Sequence, residues 1–178
     1  MHTYLTWIVN YLAFYAVWVV CTIAAKVERP LVGLPVVLAY LCLHLTLVSR
    51  SWKKEAFLIT VLTAFGALNE TFLSLLGAVV YKGASYGGVA WWTLALWASF
   101  ATTYWHAFSW LSSRRLLSSL LGATVVPVCY AWFGAAGAIQ YPHGPLRALV
   151  TIGAVWALTL PVTFYISELI DHGRVKKL

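Results

Sequence analysis

The sequence predicts an all-α integral membrane protein, a bundle of six transmembrane helices with antiparallel neighbours, short loops and both termini in the cytoplasm. Three observations predict it. Hydrophobic residues make up 62% of the 178-residue chain and charged residues only 10%, with a mean hydropathy of +0.82, whereas soluble domains carry roughly 25% charged residues. Apolar stretches long enough to cross a hydrocarbon core of about 30 Å recur almost end to end. The charges gather in the short links between them. A single domain, 1–178, is expected, with no room for a soluble one.

The first span is expected near 4–25. The opening run "MHTYLTWIVNYLAFYAVWVVCTIAAK" lacks a positive leading region and is too long in its apolar part for a cleaved signal, so it is expected to stay as a helix. The tight charged link "KVERP" separates it from the second span, near 31–49. The basic link "SRSWKKE" precedes the third, near 56–81, and the small, flexible "KGASYGG" precedes the fourth, near 91–111. "SSRR" introduces the fifth, near 116–139, and "QYPHGPLR", with two prolines, introduces the sixth, near 148–170. Links this short make sequential helices adjacent and antiparallel. Pro127 and Pro161 interrupt the last two spans, where each removes a backbone hydrogen bond and is expected to kink its helix. The small residues of "GAAGA", 134–138, are expected to let a neighbouring backbone approach closely.

Charge placement sets an orientation. On one side of six spans lie eight basic residues, Arg50, Lys53, Lys54, Arg114, Arg115, Arg174, Lys176 and Lys177; on the other lie four, Lys26, Arg29, Lys82 and Arg147. Positive residues favour the cytoplasm, which puts both termini there. Trp7, Trp52 and Trp110 then fall near the inner interface, and Trp91 and Trp92 near the outer one. The net charge of +7 is spread over these clusters and forms no basic face, so nucleic acid is excluded as a partner. Cys21, Cys42 and Cys129 form no Cys-x-x-Cys pair and are read as small buried hydrophobes.

Against this background the polar residues inside the spans stand out. Glu70, beside Asn69, falls near the middle of the third span, where a carboxylate facing lipid costs on the order of 3 kcal/mol. Thirteen Leu, Ile, Val and Phe residues between Phe57 and Val80, at about 0.3 to 0.6 kcal/mol each, still let the segment insert. Thr63, Ala67, Glu70 and Ser74 share one helix face, and Ser99, Thr102, His106 and Ser109 form a comparable stripe in the fourth span. His106, His44 and Asn10 all fall toward the cytoplasmic third, with Glu70 deeper. The expectation is a polar pocket of Glu70, Asn69, His106, His44 and Asn10 that exchanges a proton or holds a polar headgroup. The alternative is that these groups only bond one another and fix helix packing. No metal site and no cofactor are expected, because no His-x-x-x-His or Glu-x-x-His spacing builds one from a single helix. Nucleophile and phosphate-loop motifs are absent as well.

The runs "NYLAFYAVW", "GALNETFLSLLG", "WWTLALWASFATTYWHAFSWL" and "LLGATVVPVCYAWFGAAGA" together resemble a family of small bacterial inner-membrane proteins known as domain of unknown function 2878. The sharpest parts are Leu96, Trp97, Phe100, His106 and Trp110, then Gly122, Pro127, Tyr130, Gly134 and Gly137. An aspartate is common at the acidic place in that family, and here Glu70 keeps the carboxylate with a longer reach. The resemblance implies a multi-pass inner-membrane protein with no established activity, encoded near enzymes that modify membrane fatty acids. The expected function is therefore accessory or lipid-binding and not itself enzymatic, with membrane lipids as ligands and a lipid-modifying membrane enzyme as the protein partner. Two alternatives stay open: a small proton-coupled transporter using Glu70, and a membrane-embedded lipid-modifying enzyme.

Overall fold

A computed structural model describes residues 2–83, 85–86 and 88–172 of the chain. Six α-helices follow one another: α1 (His2–Lys26), α2 (Leu34–Leu43), α3 (Trp52–Leu75), α4 (Trp91–Ala101), α5 (Arg115–Ala136) and α6 (Pro145–His172). α2 is extended at its start by a 3-10 turn, Pro30–Gly33, and at its end by a π-helical turn, His44–Val48. Five stretches are long and apolar enough to cross a membrane: Trp7–Lys26, Leu31–Val48, Trp52–Leu75, Arg115–Ala136 and Pro145–Asp171. The outer surface suits hydrocarbon, for Leu68, Leu75, Leu116 and Leu146 are 71 to 80% exposed. The basic C-terminal residues used for orientation, Arg174, Lys176 and Lys177, lie outside the described residues.

The fourth expected span departs from a continuous helix. Only Trp91–Ala101 is α-helical; the chain then turns through 102–108 and ends in a 3-10 turn, Ser109–Leu111. The hydroxyls of Thr102 and Thr103 donate to the carbonyls of Ser99 (2.7 Å) and Phe100 (2.6 Å), and the backbone N–H groups of Thr103 and Tyr104 bond three residues back. Such tight local bonds replace the α-helical ladder. Irregular backbone in so apolar a protein needs cover from other side chains. Here it is covered: Trp92, Leu96, Trp97 and Ser99 of α4, and Thr102, Thr103, Tyr104 and His106 beyond it, are all buried. α4 is thus the inner element, with α1, α2 and α3 packed around it.

Ion pairs at the two ends fit helices that alternate in direction. Glu28, after α1, meets Lys82, after α3 (4.0 Å), while Lys54 at the start of α3 meets Asp171 near the end of α6 (3.8 Å). Arg115, opening α5, pairs with Glu168 of α6. At the Glu28 end, two-residue strands β1 (Val80–Tyr81) and β4 (Ile139–Gln140) pair antiparallel and tie the α3–α4 link to the α5–α6 link; β2 (Ser85–Tyr86) and β3 (Val89–Ala90) form a second small ladder.

The closest helix approach joins α5 to α6. A Cβ built on Gly122 would lie 2.1 Å from the Trp156 carbonyl oxygen, and one on Gly153 2.8 Å from that of Ala123. Ser119 adds a bond to the Ala157 carbonyl at 2.7 Å. The backbone contact expected of "GAAGA" therefore occurs elsewhere; what Gly134 admits is the Tyr141 ring, 2.6 Å from its would-be Cβ. Both prolines lie inside their helices, Pro127 with its ring against Gly153 and Pro161 with its carbonyl accepting from Arg115 (3.4 Å). Trp52, Trp91 and Trp110 face outward, but Trp92 is 1% exposed and donates to the Lys82 carbonyl, so it is a core residue and no interface anchor. Cys42 is exposed on the apolar surface, unlike the buried thiol expected there.

Candidate functional site

The inward face of α3 carries Glu55, Leu58, Leu62, Gly66, Asn69, Glu70 and Leu73, recurring at the three- and four-residue steps of one helix face. Thr63, Ala67 and Ser74 flank this face half-buried. Two acids therefore point into the bundle from one helix. At a rise of about 1.5 Å per residue they lie roughly 22 Å apart. The five expected polar residues divide between them: Glu70 and Asn69 at one end, His44, His106 and Asn10 around Glu55 at the other.

Helix α3 stops at Leu75, short of 81, because Gly77 takes a left-handed conformation (φ 66°) that an L side chain resists. Glu70 consequently sits in the last turns of α3, away from mid-span. It is 2% exposed and ringed by donors. The Trp97 indole N–H donates to Oε1 (2.8 Å), and the Tyr130 hydroxyl reaches both oxygens (2.9 and 2.8 Å). The Tyr81 hydroxyl donates to Oε2, and the Asn69 amide lies 3.5 Å from Oε1. Each donor is positioned by a local device. Gly66 leaves the slot that Trp97 fills, since a Cβ there would come within 2.2 Å of the indole. The β1–β4 ladder brings Tyr81 back over the end of α3. Tyr141, seated on Gly134, bonds the Tyr130 carbonyl at 2.5 Å. Asn69 accepts from Thr159 of α6 at 2.7 Å. Tyr81 lies outside the spans, and burial together with the adjacent Glu70 carboxyl pushes its hydroxyl well above the ordinary range, so it remains a proton donor.

This cluster forms the polar floor of a cavity of about 400 Å³. Apart from Thr93 its lining is otherwise apolar and aromatic, including Phe14, Trp18, Trp97, Phe100, Phe133 and Trp156. The exposed lining residues mark its mouth: Tyr11 (45%), Tyr15 (51%), Val125 (50%) and Trp110 (43%). The mouth thus lies between α1 and α5, two of the apolar helices, and is bordered at one side where Trp18 packs at a tilt against Trp132 and Phe133, with centroids 4.4 and 5.0 Å away.

The second cluster joins four elements. His44 begins the π-helical turn after α2, Glu55 lies in the first turn of α3, His106 follows the break in α4, and Asn10 comes from α1. Their exposures are 2, 4, 7 and 2%. Glu55 Oε2 stands 2.7 Å from His44 Nε2 and 3.2 Å from His106 Nε2. Asn10 Nδ2 lies 3.3 Å from His44 Nδ1, near the Tyr40–Thr102 hydroxyl pair, whose oxygens are 2.7 Å apart. π-Helical turns recur at functional sites because they re-aim one side chain, and this one aims His44 at Glu55. Sequence reasoning passed over Glu55, which it read as part of a basic link. Extending the Leu58–Leu62–Gly66 face back by three residues would have found it. No comparable linear signal exists for Tyr81, Tyr130 and Trp97 converging on Glu70.

Compared with known proteins, residues 7–162 match the family model described as Protein of unknown function (DUF2878), and the chain belongs to that family. No curated protein and no solved structure matches it.

Proposed function

We propose that this DUF2878 family member is a non-catalytic, multi-pass protein of the bacterial inner membrane, with both termini cytoplasmic, that holds a lipid-like molecule between α1 and α5. The segment 91–111 makes the sixth crossing, its irregular half shielded by the surrounding helices. The ligand's hydrocarbon part lies among the aromatic side chains, and a single small polar group meets Tyr130 and Glu70 at the floor. The observation that carries this reading is a cavity of about 400 Å³ with an apolar mouth and one polar end. Ligand sites have that character: concave, largely apolar, with a few convergent polar groups. A mouth between two apolar helices admits a molecule from the hydrocarbon side, which selects lipids over soluble metabolites. Accessory service to a lipid-modifying membrane enzyme follows as the biological role, the bound lipid being its substrate, product or regulator.

Native mass spectrometry from mild detergent tests this. The wild-type protein carries a lipid-sized adduct. Cys129→Trp, which fills the lining beside Tyr130, removes it, and Glu70→Gln weakens it. An adduct equally abundant in wild type and Cys129→Trp refutes binding in this cavity.

A further inference from the structure

The His44–Glu55–His106 cluster takes no part in the lipid cavity and calls for its own account. Three potential ligand atoms, one from each residue, lie within 4.8 Å of one another, all buried. Both imidazoles turn Nε2 toward the same carboxylate oxygen. Among the described residues no lysine or arginine pairs with Glu55; Lys54, its neighbour in sequence, pairs with Asp171 instead. A buried carboxylate needs a compensating positive charge, from a protonated imidazole or from a bound cation.

The surroundings favour the cation. We propose that His44, Glu55 and His106 bind one first-row divalent metal ion of the zinc class, leaving a fourth position open. Two nitrogens and one carboxylate oxygen are the donor set of many open zinc sites, with bonds of about 2.0 to 2.2 Å. A tetrahedral ion at that radius holds its ligands about 3.4 Å apart. The two pairs involving Glu55, at 2.7 and 3.2 Å, open by at most about 0.7 Å, and the remaining pair, within 4.8 Å, closes by up to about 1.4 Å.

Asn10 fits this assignment once its amide is turned over. Its Oδ1 is buried without a partner among the described residues, while Nδ2 faces His44 Nδ1 at 3.3 Å. Turning the amide over gives Oδ1 the Nδ1–H of His44 to accept, beside the Tyr40 and Thr102 hydroxyls, and moves the partnerless position to Nδ2. That bond fixes the tautomer with the lone pair on Nε2, facing Glu55, as a metal-ligating histidine requires. In that orientation the Asn10 oxygen is the outer partner of a ligand histidine. The ligands come from three segments separated by a π-helical turn and a helix break, which explains why no metal spacing is legible within any one helix.

The test uses full-length protein purified without a polyhistidine tag, stripped with chelator and titrated with zinc(II), with cobalt(II) as a spectroscopic probe. One equivalent is expected to bind tighter than about 1 µM, to give the intense visible bands of four-coordinate cobalt and to raise the melting temperature. His106→Gln and Glu55→Gln, which preserve size and hydrogen bonding, should each weaken binding at least tenfold, whereas His143→Ala should leave it unchanged. Wild-type protein that binds no zinc at this level, or whose uptake is lost in His143→Ala and kept in His106→Gln, overturns the assignment. Because the wild-type titration alone decides the first outcome, a variant that fails to fold does not protect the proposal.

Discussion

Replacing Gly66 by alanine tests how the Glu70 cluster is built. A Cβ at that position would stand 2.2, 2.3 and 2.7 Å from three carbons of the Trp97 indole. Carbon contacts settle near 3.5 to 4.0 Å, so the ring must retreat by about 1.3 Å or more. Its retreat disrupts the stack on Trp156, at a centroid distance of 5.1 Å and an angle of 17°, or pushes the ring into the cavity it lines. Retreat also stretches the bond from Trp97 Nε1 to Glu70 Oε1, now 2.8 Å, beyond hydrogen-bonding range. Overpacking costs about 1 to 3 kcal/mol and the lost bond about 1 to 3, while alanine returns up to about 1 through helix propensity. The net loss is about 1 to 6 kcal/mol. Thermal unfolding in mild detergent, followed by circular dichroism and tryptophan fluorescence, should register a melting temperature lower by several degrees. Leu68→Ala, on the outward face and 71% exposed, serves as the control. A Gly66→Ala protein as stable as wild type, with unaltered tryptophan emission, would show that Trp97 does not occupy this slot.

The other predictions concern single contacts. Tyr130→Phe removes the hydroxyl shared by both Glu70 oxygens and should destabilise the protein by about 1 to 3 kcal/mol in the same melting assay; no change would dissociate Tyr130 from the acid. Gly122→Leu should destabilise more strongly than Gly122→Ala, since α5 and α6 must separate to admit the side chain, and equal stabilities would refute the backbone contact. Tyr81 ionises less readily when folded than when unfolded, so its contribution is intact below pH about 10, the unfolded value, and is lost as pH rises above it. Melting temperatures of wild type should therefore fall between pH 9 and 11 more steeply than those of Tyr81→Phe. Arg115→Gln should shift stability by less than about 1 kcal/mol, because its pair with Glu168 is partly exposed, and a large loss would mean a deeper role.

The five long apolar stretches and the acid at Glu70 were readable because each depends on local pattern, apolar length and a charge set among hydrocarbons. Adjacency of every sequential pair was not, since α4 packs chiefly on α1, α2 and α3 rather than on α5. Nor was the break after Ala101. Its threonines bond their own backbone only once tertiary packing buries that stretch, and the same residues could equally continue a helix on the evidence of sequence. The pairing of the histidines was hidden for the same cause, since His106 reaches Glu55 only because α4 stops early.

By itself, the sequence determined the solvent this protein is built for. Partition into a bilayer adds up residue by residue along each apolar stretch, and no knowledge of neighbours is needed to reckon it. Which polar groups meet was decided only in three dimensions. Glu55 and His106 are 51 positions apart, and Glu70 and Tyr130 are 60. Contacts of that separation depend on where each helix ends and how far it has turned by then, quantities fixed by packing and invisible to any count along the chain.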